Sequence, residues 1–271
     1  MINWNILEII KKNDMKRSDW FNQGFFCFGE FYKRDFEELR YRDISLFTLW
    51  PIEGKKVIDI GCGSGLYTLT FLKLKASFVY GQDICEKSVL EAISNCEKEG
   101  FNDLCCRISI GNCEELIFED NAFDLAFSGD VFEHITKRQK INFINETFRV
   151  LKPGGYFTIK TPNKDYLKLS LMIKRIKAIF RLQNPLKIHI LHTHNYPNNE
   201  HHGLTTYREL KKIFKNTMFH DPEITYQELN KKNIPLWLKK MFKKSSIFNQ
   251  QIIITVRKPV FFSIYDRTYP S

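Results

Sequence analysis

Two acidic residues flank a glycine-rich turn in the first third of the chain. Asp59 lies two residues before the first of three glycines, Gly61, Gly63 and Gly65, and Asp83 ends the next apolar segment. Glycine is needed where the backbone must pass close under a ligand and begin a helix at once, because it carries no Cβ. A carboxylate at the end of the second strand can accept hydrogen bonds from both hydroxyls of a ribose. The pattern predicts a nucleotide-binding βαβ unit.

The glycine spacing distinguishes two classes of cofactor. A dinucleotide-binding turn has the form G-x-G-x-x-G, which would need glycine or alanine at 66, and the chain has Leu66. Asp59 would repel a pyrophosphate but attract a cationic ligand, such as the amino group and sulfonium of S-adenosylmethionine. At these residues the sequence resembles the class I S-adenosylmethionine-dependent methyltransferases, whose first motif has the form D-x-G-x-G-x-G.

Three further segments resemble this family in order and spacing. Residues 111–116 are similar to its adenine-binding segment, with Asn112 in place of the usual acid; the amide oxygen still accepts a hydrogen bond. Residues 123–134 are similar to strand four and its edge, and 149–156 to the turn into strand five. The resemblance covers 55–163 and implies an α/β, Rossmann-like class I methyltransferase fold, with a mostly parallel seven-stranded sheet and helices on both faces.

The resemblance assigns the cofactor to residues that follow the predicted strands. These are Asp59, Gly61, Cys62, Gly63, Asp83, Ile84, Asn112, Cys113 and Ser128. The sulfonium donor is already activated, so the protein has mainly to exclude water, align the acceptor and remove its proton. None of these nine residues need act on the acceptor.

Candidate groups for the acceptor begin where the predicted fourth strand ends. Asp130, Glu133 and His134 follow that strand, and His201 and His202 precede a later helix. His134 is the favoured general base, because the end of strand four faces the methyl group in the family; Glu133 and His202 are further catalytic candidates. The alternative is that His134 only packs against the following helix.

The same spacing also resembles E-x-x-E-H in ubiquinone-type O-methyltransferases and plant small-RNA 2′-O-methyltransferases. That resemblance implies a divalent metal that binds the acceptor hydroxyl, with Asp130, Glu133, His134 and a later histidine, His201 or His202, as ligands. Oxygen and imidazole ligands without a thiolate suit magnesium, manganese or zinc. Asp130 is shorter than the glutamate of that motif, which changes the coordination distance.

Composition restricts the class of protein and its partners. Hydrophobic residues make up 43% of the 271 residues, which favours a folded protein over a disordered one. The seven cysteines include no C-x-x-C pair and therefore predict reduced thiols in a cytoplasmic enzyme. No signal peptide or membrane span is predicted, because no apolar run approaches about 18 residues.

Positive charge is concentrated in the C-terminal part of the chain. Residues 164–271 hold 20 Lys and Arg against 7 Asp and Glu, a net charge of +13, whereas the whole chain carries +10. This asymmetry predicts an anionic partner surface, against the alternative of solvated lysines. Residues 169–181 and 234–244 have the composition of helices that lie in an anionic membrane interface; the alternative is a stripe that faces the core.

The predicted elements form one domain over 1–271, with an N-terminal helical lid at 1–50 and the cofactor-binding core at 51–162. A substrate-side insert follows at 163–205, and 206–271 form a helix and an antiparallel strand pair. The core elements are strands at 55–60, 77–82, 106–110, 122–128 and 155–160 and helices at 65–75, 86–99 and 137–150. In the insert, a helix at 166–182 precedes His189, His192 and His194, which we interpret as a pocket wall.

Together these patterns predict transfer of a methyl group to an oxygen of a small or lipid-linked molecule, such as a phenol, a sugar or a glycan intermediate. The chain lacks the N-P-P-Y loop of amino-methylating nucleic-acid enzymes; Thr161-Pro162-Asn163 in its place is common among small-molecule O-methyltransferases. An RNA 2′-O-methyltransferase stays an alternative, although no RNA-binding module is recognisable and nucleic acid is less favoured as a partner. A non-catalytic subunit that activates a partner is the other alternative.

Overall fold

The computed structural model describes residues 51–188, 201–219, 222–226 and 249–260. Several predictions lie outside these described residues. They are the helical lid at 1–50, the histidines at 189, 192 and 194, and the basic segment at 234–244.

A seven-stranded sheet connects most of the described elements. The strands are β1 (Lys56–Ile60), β2 (Phe78–Asp83), β3 (Cys106–Ile110), β4 (Phe123–Gly129), β5 (Leu151–Pro162), β6 (Glu223–Tyr226) and β7 (Gln251–Arg257). Their order across the sheet is β3-β2-β1-β4-β5-β7-β6. The pairs of β1 with β2, of β2 with β3 and of β1 with β4 are parallel, and β6 with β7 is antiparallel. The Rossmann-like class I fold predicted from the sequence is confirmed.

In the described part of the chain, five α-helices connect or extend these strands. They are α1 (Leu66–Lys73), α2 (Glu86–Lys98), α3 (Lys137–Val150), α4 (Lys164–Phe180) and α5 (Tyr207–Phe214), with 3-10 helices at Phe132–His134 and Pro185–Lys187. A capping box starts α5: the Thr206 hydroxyl accepts from the Glu209 N–H at 3.2 Å, and the Glu209 carboxylate accepts from the Thr206 N–H at 2.7 Å. Each predicted core helix is present within two residues of its expected ends.

The described residues divide into two compact units. The first unit comprises 51–127, 145–157 and 256–260, and the second unit comprises the remaining described residues, from 128–144 and 158–255. In the first unit Phe127 packs against Tyr67 and Phe71, with ring centroids 4.5 and 5.6 Å away. In the second unit Phe132 and Phe143 lie 5.5 Å apart. The single domain over 1–271 stays a prediction.

Strand β5 begins four residues earlier than the sequence predicts. Local sequence suggests a turn at Pro153-Gly154-Gly155, because proline and glycine interrupt regular strands. In the structure these residues pair with a distant segment: the Gly154 N–H donates to the Lys258 carbonyl and the Lys258 N–H to the Gly155 carbonyl, both at 2.8 Å. The partner that extends the strand lies about a hundred residues away in sequence, so no local pattern reveals it.

Lys258 also closes the C-terminal end of α3 in the first unit. Its ammonium donates to the carbonyls of Phe148 and Leu151 at 2.8 and 2.7 Å and to the Asn121 side-chain oxygen at 2.9 Å. The residue is only 7% exposed. A cation at this position satisfies carbonyls that have no partner within the helix and is favourable for the helix dipole.

Replacement of Lys258 by Met should therefore lower the free energy of unfolding by about 2–4 kcal/mol, because buried carbonyls lose a charged donor. Urea unfolding followed by circular dichroism measures the change. Arg257→Met is the matched control, since Arg257 is exposed and should cost less than about 1 kcal/mol. Equal effects of the two substitutions would contradict the role given to Lys258.

Candidate functional site

The turn after β1 has the backbone that its glycines predict. Gly61, Gly63 and Gly65 have φ angles of 76°, 52° and 84°, a left-handed region that other residues rarely adopt. The N–H groups of Gly61 and Cys62 donate to the Gln82 carbonyl at 2.7 and 3.0 Å. Gly65 is the N-cap of α1. The backbone thus turns at the end of β1 and enters the helix without an intervening loop.

Asp83 holds this turn in place from the end of β2. Its carboxylate accepts from the Gly63 N–H at 2.8 Å and from the Cys85 N–H at 2.9 Å. Burial raises the pKa of Asp83, and the backbone donors oppose that rise. Asp83 therefore positions the glycine turn, and its carboxylate retains lone pairs that could bind a ribose hydroxyl. Ile84, which follows it directly, is half-buried.

Asp59 is buried beneath the same turn. Its side chain is 1% exposed and accepts a hydrogen bond from the Thr68 hydroxyl at 2.7 Å. Burial, with a smaller contribution from the charge of Asp83, raises the pKa of Asp59 to about 7. A cationic ligand beside this carboxylate would favour its ionised form. The position and burial of Asp59 thus suit the cationic ligand that the sequence analysis predicts for it.

The two cysteines predicted near the cofactor are not activated thiols. Burial and the charges of Asp83 and Asp59 raise the pKa of Cys62 well above its usual value. Burial raises the pKa of Cys113 to about 12. A nucleophilic cysteine needs a lowered pKa. Both residues therefore serve as small apolar side chains, as the sequence indicated for Cys62.

Gln82 is a residue of this region that sequence analysis missed. It is 1% exposed, and its side-chain N–H donates to the Asn112 carbonyl at 3.0 Å. Within the described part of the chain its side-chain oxygen has no hydrogen-bond partner. Asn112 uses its own side-chain oxygen to accept the Glu114 N–H at 3.0 Å. Gln82 thus fixes the segment that carries Asn112 and offers a buried acceptor. The signal in the sequence that could have revealed Gln82 is a polar residue directly before Asp83, at the end of an apolar segment.

These observations test whether the first unit fits S-adenosylmethionine. Two buried acids, Asp59 and Asp83, surround a glycine turn, and a Cβ on Gly63 would have no atom within 4 Å. The unpaired oxygen of Gln82 can accept a hydrogen bond from an amino group or a hydroxyl. Open space above a turn, buried negative charge and an unsatisfied acceptor suit a nucleoside that carries a sulfonium and an ammonium. The residues present fit the group.

The second unit contains the residues that follow β4. Ser128, predicted to bind the cofactor, is fully buried, and its hydroxyl has no partner among the described residues. Asp130 has a φ angle of +57°, which is uncommon for a residue with a Cβ. The Asp130 N–H donates to the Lys160 carbonyl at 2.9 Å, and the Lys160 ammonium donates to the Asp130 carboxylate at 3.1 Å. Lys160 was not among the residues singled out from the sequence.

Glu133 and His134 lie in the 3-10 helix that follows. Glu133 is 2% exposed and accepts from the Thr161 hydroxyl at 3.2 Å. Burial, together with the charge of Asp130, raises the pKa of Glu133 to about 8. At neutral pH this carboxyl is therefore mainly protonated. His134 is 9% exposed, and its ring centroid lies 4.8 Å from that of His201.

Gly203 fixes the position of that second histidine. Its N–H donates to the Glu133 carbonyl at 2.8 Å, and its carbonyl accepts from the buried ammonium of Lys140. A Cβ at this position would overlap the carbonyls of the 3-10 helix. Only glycine allows the segment to pack this closely. His201 is consequently placed against His134, whereas His202, the histidine chosen from the sequence, is exposed.

The predicted metal ligands do not form a metal site in the described part of the chain. No group of three or more His, Cys, Asp or Glu side chains has an arrangement that could hold a metal ion there. Asp130 is bonded to a lysine, Glu133 to a hydroxyl, and His202 is exposed. This donor set does not fit a divalent ion, and metal dependence stays a prediction.

Comparison with known proteins agrees with this geometry. Residues 58–159 match the model of a family described as a methyltransferase domain. This match and the fold are those expected of a class I methyltransferase domain at these residues. That segment runs from β1 into β5, and it includes the glycine turn, Asp83 and the cluster after β4.

Curated relatives resemble the chain over about half its length. A mitochondrial ubiquinone biosynthesis O-methyltransferase of Dictyostelium discoideum is 34% identical over 139 residues, which are 49% of this chain and 43% of that protein. The corresponding Rhizobium etli enzyme is 30% identical over 54% of each chain. A sterol methyltransferase-like protein of Botryococcus braunii is 35% identical over 39% of this chain and 26% of its own. The chain spans about half the length, or less, of these relatives.

Solved structures support the fold over a larger part of the chain. A S-adenosylmethionine-dependent methyltransferase from Archaeoglobus fulgidus aligns with a TM-score of 0.57 and 18% identity, covering 87% of this chain and 100% of its own. A Haloferax volcanii complex of the Trm112 methyltransferase activator with a methyltransferase gives a TM-score of 0.57 at 18% identity, over 82% and 92%. At this identity the likeness shows the fold alone.

The pKa of Asp59 makes the affinity for S-adenosylmethionine dependent on pH. The dissociation constant should fall as the pH rises through about 7, because the ionised carboxylate attracts the cationic ligand. Calorimetry between about pH 5.5 and 7.5 keeps the ligand's amino group charged. Asp59→Asn should weaken binding at least about tenfold and remove the dependence.

Thr68→Val provides the matched control for this assignment. Loss of the Thr68 hydroxyl removes the hydrogen bond that lowers the pKa of Asp59, so the transition should move to higher pH. An unchanged pH dependence in Asp59→Asn would show that another group titrates.

Proposed function

We propose that the protein transfers the methyl group of S-adenosylmethionine to an oxygen atom of a small or lipid-linked acceptor. The observation that carries the proposal is the cluster after β4, in which Glu133 and His134 are buried, Asp130 is half-buried, and the His134 ring packs against that of His201. An acid and imidazole cluster at the carboxyl end of a central strand is suited to binding a hydroxyl and accepting its proton. Two of the relatives are named ubiquinone biosynthesis O-methyltransferases, which supports oxygen as the acceptor.

Each unit contributes a separate part of this reaction. When bound, S-adenosylmethionine supplies a methyl group that is already activated for displacement. In the first unit Asp59 attracts its positive charge, and Asp83 holds the turn and offers lone pairs to the ribose. In the second unit His134 is the proposed base that takes the hydroxyl proton as the new O–C bond forms and the S–C bond breaks. Glu133, protonated at neutral pH, can donate a hydrogen bond to the acceptor.

The first test is transfer of label from methyl-labelled S-adenosylmethionine into separated lipid, small-molecule, polysaccharide, RNA and protein fractions of the source cell. We expect label in lipid, small-molecule or polysaccharide material, with an alkali-stable methyl ether as the product. His134→Ala should lower kcat about 10²–10⁴-fold without changing the affinity for S-adenosylmethionine, because only proton removal is lost.

The control substitution is Arg138→Ala, since Arg138 is exposed at the start of α3. Label in RNA would favour the 2′-O-methyltransferase alternative. Binding of S-adenosylmethionine with transfer only after a second protein is added would favour the non-catalytic alternative. A product methylated on carbon would contradict the oxygen acceptor.

The exposed face of α4 supports a lipid-linked acceptor and peripheral contact with an anionic membrane. Met172, Ile176 and Ile179 are 54%, 46% and 59% exposed, and they line a groove together with Lys168 and Arg175. Apolar side chains beside basic ones are typical of helices that lie in an anionic interface. None of the described helices is long and apolar enough to cross a membrane.

Flotation with vesicles that contain anionic phospholipid measures this contact. We expect the protein to float with the vesicles at low salt and to be released at high salt, since basic side chains supply part of the attraction. Ile176→Glu combined with Ile179→Glu should abolish flotation, whereas Leu104→Glu, at an 87% exposed site between α2 and β3, should not. Protein that stays soluble at low salt would exclude the membrane contact.

A further inference from the structure

A partly buried ion pair lies directly after β4 in the second unit. The Lys160 ammonium is 3.1 Å from one carboxylate oxygen of Asp130, and their side chains are 8% and 23% exposed. The backbone joins the same two residues, because the Asp130 N–H donates to the Lys160 carbonyl at 2.9 Å. Two hydrogen bonds therefore fix Asp130 against the end of β5.

Stability alone does not explain this pair. Transfer of two charges from water to a protein interior costs several kcal/mol, and an apolar pair of similar volume is often as stable. Asp130 also adopts a left-handed backbone at φ +57°, which costs about 1 kcal/mol or more for a residue other than glycine. Strain of this kind is concentrated at ligand-binding positions. The location, immediately after a central strand, is where α/β sheets bind their ligands.

One carboxylate oxygen of Asp130 has no hydrogen-bond donor in the described part of the chain. Oδ2 accepts from Lys160, whereas Oδ1 is buried and has no hydrogen-bond partner within 51–188, 201–219, 222–226 and 249–260. A buried carboxylate oxygen without a donor is costly, so its position indicates a donor that arrives with a ligand. A hydroxyl or an amine of the acceptor molecule would satisfy it.

The positive charge beside Asp130 comes from the chain itself. A divalent ion bound by Asp130 would have to share the carboxylate with an ammonium only 3.1 Å away, and the two cations repel each other. The neighbouring Glu133 carboxyl is already occupied by the Thr161 hydroxyl. The Lys160 ammonium therefore neutralises the Asp130 carboxylate, as a metal ion does in an acid-rich site. Its positive charge also opposes the binding of a metal ion there.

We infer that Asp130 binds a hydrogen-bond donor of the acceptor molecule through Oδ1, and that the ammonium of Lys160, rather than a divalent metal ion, neutralises and orients this carboxylate. Asp130 then contacts the substrate, and Lys160 is a positioning residue that acts through it. The inference rests on the proposed methyl transfer, because it specifies how that reaction holds its acceptor. The inference adds no step in which a covalent bond forms, and His134 stays the proposed acceptor of the proton.

The first experiment is a titration of the full chain with Mn²⁺, followed by electron paramagnetic resonance of the free ion. We expect no stoichiometric binding to the wild-type protein, and we expect chelator to leave the methyl-transfer rate unchanged. Wild-type protein that binds one equivalent of Mn²⁺, and loses it on Asp130→Asn substitution, would overturn the inference. Protein that binds no Mn²⁺ through Asp130 supports it.

The second experiment compares substitutions of the pair. Lys160→Met should lower kcat/KM for the acceptor at least about tenfold, mainly through a higher KM, and leave the affinity for S-adenosylmethionine within about twofold. Lys160→Arg keeps the charge and should recover part of the loss. Lys152→Met is the matched control, since Lys152 forms a similar pair with Asp124 at 2.8 Å at the other end of β5.

Asp130→Asn covers the case in which Lys160→Met does not fold. Asparagine has the same shape and also tolerates the left-handed backbone, but it removes the charge and replaces one acceptor oxygen with an NH2 donor. It should raise the acceptor KM as Lys160→Met does; kinetics equal to wild type in either folded variant would overturn the inference. The Mn²⁺ titration needs no activity, so it decides the role of Lys160 even if no oxygen acceptor is methylated and the proposed function itself fails.

Discussion

The hydrogen bond from the Gly63 N–H to the Asp83 carboxylate is the constraint on which the first unit depends. The second oxygen of Asp83 accepts the Cys85 N–H, so one buried side chain joins the turn after β1 to the residue that caps α2. Without the hydrogen bonds to Asp83, a turn with glycine at three alternate positions would be free to adopt many conformations. A turn that is fixed before the ligand arrives does not lose that conformational freedom on binding. Burial of Asp83 is thus part of how the unit is organised for its ligand.

The buried acids Asp59, Asp83 and Glu133 and the half-buried Asp130 accept hydrogen bonds from different kinds of donor. Asp59 and Glu133 each accept from a hydroxyl, and burial raises their pKa values to about 7 and about 8. Asp83 accepts from two backbone N–H groups, and Asp130 from an ammonium. A neutral hydroxyl offsets little of the desolvation of a carboxylate, whereas an ammonium offsets much of it. A hydroxyl as donor therefore leaves the pKa values of Asp59 and Glu133 close to or above neutral pH.

The elements with clear periodicity could be predicted from sequence, and the contacts between distant residues could not. Strand β3 and helix α3 have the predicted bounds, because apolar residues recur at the spacing that each element buries. The ion pair joins Asp130, directly after β4, to Lys160 on the neighbouring strand β5, and no local pattern in the sequence gives the order of these strands. The catalytic role predicted for His202 stays a prediction, and it is His201 that packs against His134, since the packing of Gly203 decides which histidine meets it. The residue types in the sequence were enough to locate the cluster after β4. Which side chains meet in it is determined by tertiary contacts.

Lys140 and Lys160 are both buried in the second unit, and their charged groups have different neighbours. Lys160 faces a carboxylate, which stabilises its charge. Lys140 donates to the Gly203 carbonyl, and burial lowers its pKa to about 8, although the nearby Glu133 opposes that change. Below that pH a charged donor holds the segment that carries His201, and above it a weaker neutral amine does. The position of His201 against His134 thus depends on a lysine 61 residues away in sequence, whose protonation changes close to neutral pH.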